Sequence, residues 1–360
     1  MYYIEMSKNR SARRSGILLS AARNNTVGAN VLSHLAAEHG KGKGITGFFS
    51  PEQLAELRLI SVGFKEAVGL APINDVTTIV EGSLEAWRKS FPKAKAINIS
   101  GREDLVDADF IHLNGLETVI MKECTGITDA AFVHLKGIQH LDMESCDQEG
   151  ITNAAFVHLK GIHTLNMSHC NQAGITDAAF VHLKGIHTLN ISSCSQFTNA
   201  AFVHLKGIQH LNMSRCRQFT DAAFVHLKGI HTLNMSRCSQ YTDAAFVHLK
   251  GIHTLDMSDC RQAGITNAAF VHLKGIHTLN MSWCNQAGIT DAAFVHLKGI
   301  HTLDVSWFNT AGITRTGSLC DLRQANIIGV GGYLECPTLG GTRKGRSHRR
   351  KSTKKSSKRR

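Results

Sequence analysis

The chain has no apolar run of the roughly 18 or more residues that a bilayer span requires, so no membrane helix is expected. The first 40 residues lack the apolar stretch of a secretory signal, and Arg10, Arg13, Arg14 and Arg23 face only the early acid Glu5. We therefore expect a disordered leader over residues 1–44. No two cysteines are spaced Cys-x-x-Cys, which removes the usual zinc and redox motifs. The glycine-rich stretch from His39 to Thr46 is not a phosphate loop, and no H-E-x-x-H or G-x-S-x-G occurs. No catalytic residue, metal or cofactor is expected, and the chain is not expected to be an enzyme. Acids are missing from one place in particular. Arg343 to Arg360 holds 11 lysines and arginines and no acid, against a net charge of +12 for the whole chain. The remainder carries +1, so the basicity belongs to a tail that has no apolar residue to bury. Such a tail suits nuclear import or non-specific contact with nucleic acid, and without interleaved aromatics it does not suit base stacking.

What is present is repetition. Phe-Val-His-Leu-Lys-Gly-Ile begins at Phe132, Phe156, Phe180, Phe202, Phe224, Phe246, Phe270 and Phe294, with a degenerate copy at Phe110. The steps are 22 or 24 residues, differing by a two-residue insertion after a cysteine, as in Cys170 to Asp177 against Cys194 to Asn199. A period of that length predicts a stacked solenoid. Within a unit, Ile162, Leu165, Met167 and Cys170 fit L-x-x-L-x-L-x-x-C, the leucine-rich-repeat signature. Alternation turns Leu165 and Met167 inward and Thr164, Asn166 and Ser168 outward. Thr176 or Asp177 can cap a short helix, Phe180 and Leu183 share its inner face, and Gly185 can end it. The expected architecture is thus α/β: a curved leucine-rich-repeat solenoid with parallel strands on the concave face and short helices on the convex one. A small α-helical segment precedes it. Ten strands are expected over residues 94–318, centred on Ile97, Val119, Leu141, Leu165, Leu189, Leu211, Leu233, Leu255, Leu279 and Leu303. Residues 319–360 are expected to be a poorly patterned end and the basic tail.

These units resemble the cysteine-containing leucine-rich repeats of F-box proteins, and the near-identity of the copies is similar to the repeat-expanded proteins of giant DNA viruses of amoebae. Residues 45–93 read as an F-box-like helical segment or as an amino-terminal cap. Ser50 can cap a helix, Pro51 suits its first position, and Gln53 completes a capping box. Leu54, Leu57 and Phe64 then share a face, in the manner of the later half of an F-box. The family's opening Leu-Pro-x-Glu helix is not recognisable. The resemblance implies that Pro51, Leu54, Leu57 and Phe64 contact a Skp-type adaptor of a cullin ubiquitin ligase in the (host) cytoplasm, with the repeats choosing the substrate. A ligase-independent binding scaffold is the alternative.

Across the copies the residue before the cysteine varies most: Ser145, His169, Ser193, Arg215, Arg237, Asp259, Trp283 and Trp307. We expect His169, Arg215, Arg237, Asp259, Trp283 and Trp307 to face a protein partner on the concave surface. Arg215 with Arg237 could grip an anion, and Trp283 with Trp307 could anchor an apolar group. One cysteine per repeat predicts a row of buried free thiols, not disulfides. The 21 histidines fall largely into two rows, one on the helices and one before the strands, a pattern that copying of one repeat produces without any metal or pH role.

Overall fold

A computed structural model describes residues 74–308, 318–322 and 324–329. The leader, the F-box-like stretch with Pro51, Leu54, Leu57 and Phe64, and the basic tail lie outside the described residues. Helix α1 (Leu84–Ser90) opens the ordered region, with Ser83 accepting the Ala86 amide as its cap. Strands follow at β1 (Ala96–Asn98), β2 (Thr118–Ile120), β3 (His140–Asp142), β4 (Thr164–Asn166) and β5 (Thr188–Asn190). Then come β6 (His210–Asn212), β7 (Thr232–Asn234), β8 (Thr254–Asp256), β9 (Thr278–Asn280), β10 (Thr302–Asp304) and β11 (Asn326–Ile328). All form one parallel sheet in chain order and in register, Leu165 beside Leu189 and Leu189 beside Leu211. The fold is a leucine-rich-repeat solenoid.

Each rung returns through one or two turns of tight helix, such as Asp177–Leu183, a 3-10 helix. Ala, Phe and Leu of that helix, Leu and Met of the strand, and the cysteine are buried in a single core running from Leu84 to Leu322. No rung could bury this set alone, so stacking supplies the core. Three of the 22-residue units, which lack the Ala-Gly insertion, fill its place with an aromatic ring. Phe197, Phe219 and Tyr241 stand edge-on to the preceding rung's Phe180, Phe202 and Phe224 at 4.7–4.8 Å. Two lengths of repeat are thereby accommodated in one regular stack.

Two sequence expectations change, the end of the solenoid and the side on which Ser168 lies. The solenoid continues past residue 318. A short helix at Ser318–Leu322 packs on the last repeat, and β11 pairs with β10 although it lacks the Leu and Cys signature. Asn-Ile-Ile keeps the strand alternation, and backbone pairing asks for no more than that. At the other end, residues 74–91 cap the first rung. Ile79 bridges to Asn98, and Leu84, Trp87 and Phe91 enter the core. Arg88 ties α1 to the carbonyls of His112, Ala94 and Asn114. Ser168 is buried instead of facing out, as is Ser282.

The helix cap is the threonine: Thr176 accepts from the Ala178 amide. The neighbouring acid reaches across to the next rung. Asp221 accepts both the amide and the hydroxyl of Thr242, at 2.8 and 2.6 Å, and Asp129 does the same for Thr152. Where Asn replaces Asp, its amide donates to the threonine hydroxyl and its carbonyl accepts the threonine amide, as between Asn199 and Thr220. The caps therefore stitch the rungs together.

Candidate functional site

The chain turns twice per rung through the left-handed region. Between helix and strand it does so at Gly137, Gly161, Gly185 and their equivalents through Gly299, with φ of 84–91°. Glycine has no Cβ to clash there. At the opposite rim, where strand gives way to helix, the left-handed residue is the variable one. Glu123, Ser145, His169, Ser193, Arg215, Arg237, Asp259, Trp283 and Trp307 all have φ of 56–63°. An L-residue in this conformation is disfavoured by roughly 1–2 kcal/mol. Glycine would avoid that cost, and at the first rung Gly101 (φ 72°) does stand in the row.

The invariant positions around the turn are occupied in building it. Asn or Asp at the strand end accepts the amide two residues on: Asn190 from Ser192 at 3.0 Å, Asp256 from Ser258 at 2.9 Å. The amide of the variable residue donates to the next rung's serine carbonyl, as from Arg237 to Ser258 at 2.9 Å. The following cysteine donates its thiol to a carbonyl of the preceding rung, Cys216 to Ile191 and Cys284 to Met257, both at 3.1 Å. Burial pushes the thiols of Cys146, Cys194 and Cys284 up to about 12 and that of Cys238 to about 11. They are neutral at physiological pH and are not activated nucleophiles. Gln172 and Gln196 add further rung-to-rung bonds, from their side-chain amides to the Cys146 and Cys170 carbonyls. The side chain before the cysteine takes no part in these repeated bonds.

That side chain stands at a turn of positive φ that follows directly on the strand. His169, Arg215, Arg237, Trp283 and Trp307 are exposed, and Asp259 is half-buried. Trp283 and Trp307 stack at 5.0 Å with planes 16° apart, and Trp307 keeps 73% of its surface exposed. Arg237 lies 3.6 Å from Asp259, whose other oxygen is 2.5 Å from Arg261. Arg217 and Arg261, both directly after a cysteine, join Arg237 and Asp259 around an open depression of about 530 Å³. The sequence reading missed this second row, and comparison of the residues that follow the cysteines could have found it. Three guanidinium groups around one carboxylate leave excess positive charge beside an exposed apolar pair. Toward the amino end, Lys122 is engaged by Asp142 and Glu144, and Asp147 and Glu149 line another open depression. The rim thus changes character along its length.

At the other rim a histidine directly precedes β4, β5, β7, β8, β9 and β10, and it is the first residue of β3 and β6. His163, His187, His231, His253, His277 and His301 each pair Nδ1 with the next threonine's hydroxyl at 3.0–3.2 Å. Among the described residues no group of three or more His, Cys, Asp or Glu is placed to hold a metal ion, and no helix is long and apolar enough to cross a membrane.

No protein-family model matches the sequence, and no curated protein matches it either. The fold has many solved counterparts. In the Toll–Spatzle complex from Drosophila a chain is matched at TM-score 0.53 and 17% identity, over 72% of this chain and 36% of that one. The TLR13–ssRNA13 complex gives 0.56 and 19%, over 73% and 43%. An internalin from Listeria monocytogenes gives 0.51 and 16%, over 74% and 73%. The chain therefore spans well under half of the Toll chain it matches. At these identities the likeness establishes the leucine-rich-repeat fold and nothing narrower.

Proposed function

We propose that this protein is a protein-interaction module whose variable rim row selects the partner. One observation carries the reading. From Glu123 to Trp307, nine successive rungs hold a side chain in a left-handed conformation that glycine would adopt at lower cost. The identity of that side chain changes while the rest of the unit is nearly constant. Arg215, Arg237, Asp259, Trp283 and Trp307 present charge and exposed indole on consecutive rungs, the residue types that dominate binding energy at protein interfaces. Toll, named in complex with Spatzle, is a leucine-rich-repeat chain seen with a protein partner.

The F-box resemblance extends the proposal: the module serves as the substrate-recognition subunit of a Skp–cullin–F-box type ligase in the cytoplasm, with Pro51, Leu54, Leu57 and Phe64 on the adaptor. The cap made by residues 74–91 then separates the adaptor segment from the repeats. Purified full-length protein is to be mixed with a Skp-type adaptor and run on a sizing column beside a Leu54→Asp/Leu57→Asp variant. Co-elution of the wild type alone supports the ligase role. Its failure leaves a scaffold without adaptor. The rim reading is tested separately by Arg237→Gly/Trp307→Gly: any specific protein partner of the wild type is lost from this variant, and one retained at full affinity refutes the rim as the selecting surface.

A further inference from the structure

The histidines before the strands form one unbroken column. From His140 to His301, eight imidazoles on eight successive rungs lie with ring centroids 4.5–5.7 Å apart, and four of the seven contacts are parallel stacks. Copying of one repeat does not account for all of it. In the Gln139–His140 and Gln209–His210 units the histidine has moved one residue along the chain, and the ring still fills its place in the column. Where Nδ1 is held by the threonine hydroxyl, Nε2 is the ring nitrogen left for a ligand.

The same rim carries a second row. The lysine that ends each repeat helix, from Lys136 to Lys298, is exposed on all eight rungs, and among the described residues none of them makes an ion pair. From Lys136 onward no acid lies between a helix end and the strand that follows. The chain outside the tail is nearly neutral in sum, but its charge is sorted: the cap aspartates sit at one rim and the lysines and strand histidines at the other. Seven steps at the sheet spacing of about 4.8 Å make this ladder roughly 34 Å long.

We propose that this rim is a binding ladder for the phosphate backbone of single-stranded nucleic acid, engaged more tightly as the imidazoles take up protons. The uniformity argues for a polymer whose charged unit repeats unchanged, in contrast to the opposite rim, where every rung differs. A flexible strand can follow the ladder from rung to rung, whereas a duplex turns each of its strands away. Within the stacks the imidazole faces cover one another, so bases have no platform there and recognition is of phosphates without base preference. This inference is independent of the proposed protein partner.

Each imidazole faces its column neighbours along the solenoid. On its own rung the helix-end lysine and the half-buried helix histidine, from His134 to His296, share the rim. On the strand face the carboxylates are Asp142 and Glu144, both paired with Lys122, and Asp256 and Asp304, which accept the Ser258 and Ser306 amides. The one carboxylate in the row itself, Glu117, is held by Lys95 at 2.8 Å. Burial and the neighbouring rings hold His210 and His253 below the ordinary imidazole range. A polyanion offsets the repulsion between imidazoliums, so binding draws protons onto the column.

The test is fluorescence anisotropy of labelled oligothymidylate, about 20 nucleotides long, with the full chain at about pH 7.5 and pH 5.5 and fixed ionic strength. Wild type is expected to bind about tenfold or more tightly at the lower pH. The tail's lysines and arginines give a background that does not change over this interval. A His231→Gln/His253→Gln/His277→Gln variant, checked by circular dichroism, should lose most of the pH-dependent gain and keep the background. A Lys228→Gln/Lys250→Gln/Lys274→Gln variant should bind more weakly at both pH values, and it carries the test should the histidine variant not fold. Equal wild-type affinity at both pH values, an undiminished gain in the histidine variant, or tighter binding of polyglutamate than of oligothymidylate overturns the proposal.

Discussion

Where helix gives way to strand, the chain turns through glycine from Gly115 to Gly299, and from Lys136 to His301 a lysine and a histidine flank that turn on each rung. Where strand gives way to helix it turns through the same region of backbone space, but on nine rungs the turning residue carries a side chain that differs along the row. The two rims solve one geometric problem in two ways. Glycine leaves the first turn unstrained, and lysine and histidine stand beside it at positions that can be copied without loss. The second turn accepts strain in order to place a side chain outward at its apex. A periodic rim suits a periodic ligand, and an aperiodic rim suits a partner with its own sequence.

The comparison can be broken or sharpened by substitution, and the largest effect is expected at the variable rim. If the proposed interface holds, replacing Arg237 and Trp307 by Gly should weaken a specific protein partner by roughly 100-fold, as loss of a central charge and an aromatic anchor does. The same variant should be no less stable than wild type, and more stable by up to about 1 kcal/mol per site, because the left-handed strain is relieved. Chemical denaturation checks the second half. A destabilised variant would show that the side chains hold the turn together.

Next in size is the stitching of rungs at that rim. Asp221→Ala strands the amide and hydroxyl of Thr242 and should cost about 1–2 kcal/mol in urea unfolding. An unchanged midpoint would show that water replaces the aspartate freely. At the uniform rim, Gly229→Ala should cost about 1 kcal/mol although no atom lies within 4 Å of the added Cβ, since the penalty is conformational and not steric crowding by a neighbour. Reading Gly229→Ala and Arg237→Gly side by side tests the comparison directly: the two changes should move stability in opposite directions.

The smallest effect is the pH dependence of stability at the uniform rim. His210 and His253 titrate lower in the folded state than an ordinary imidazole, so below about pH 6.5 the unfolded chain binds more protons than the folded one. Their contribution to stability is present above that pH and is lost as the pH falls through the imidazole range. The thermal midpoint should therefore drop between about pH 7 and pH 5, and the drop should shrink in the His231→Gln/His253→Gln/His277→Gln variant.

Much of the architecture was legible in the residues, because a repeat that cannot bury its own apolar face states its stacking partner as well as its period. Leu165, Met167, Phe180 and Leu183 are buried as the alternation and helical spacing required. The eight repeat cysteines are free and buried, as a row pointing one way implied. The eleventh strand was not legible, since parallel pairing of Asn326–Ile328 needs only backbone and leaves no signature in side chains. The site was half legible. Variation among near-identical copies singled out the row from His169 to Trp307, but it could not say that the row sits at the apex of a turn. It also missed Arg217 and Arg261 and the contact of Arg237 with Asp259.

The sequence by itself determined the period, the core residues and the place where the copies disagree, because those properties are local to one unit and are multiplied by repetition. Contacts between units were decided only by the tertiary structure. The reach of Asp221 to Thr242, the ring of Tyr241 against Phe224, the indole stack and the imidazole column all join residues of successive rungs. The hand of the backbone at the variable rim and the sorting of charge between rims belong to the same level. Such contacts depend on how far one rung is displaced from the next and on which way each turn carries the chain. A linear string of residues does not contain that displacement until hydrogen bonding and burial have set it.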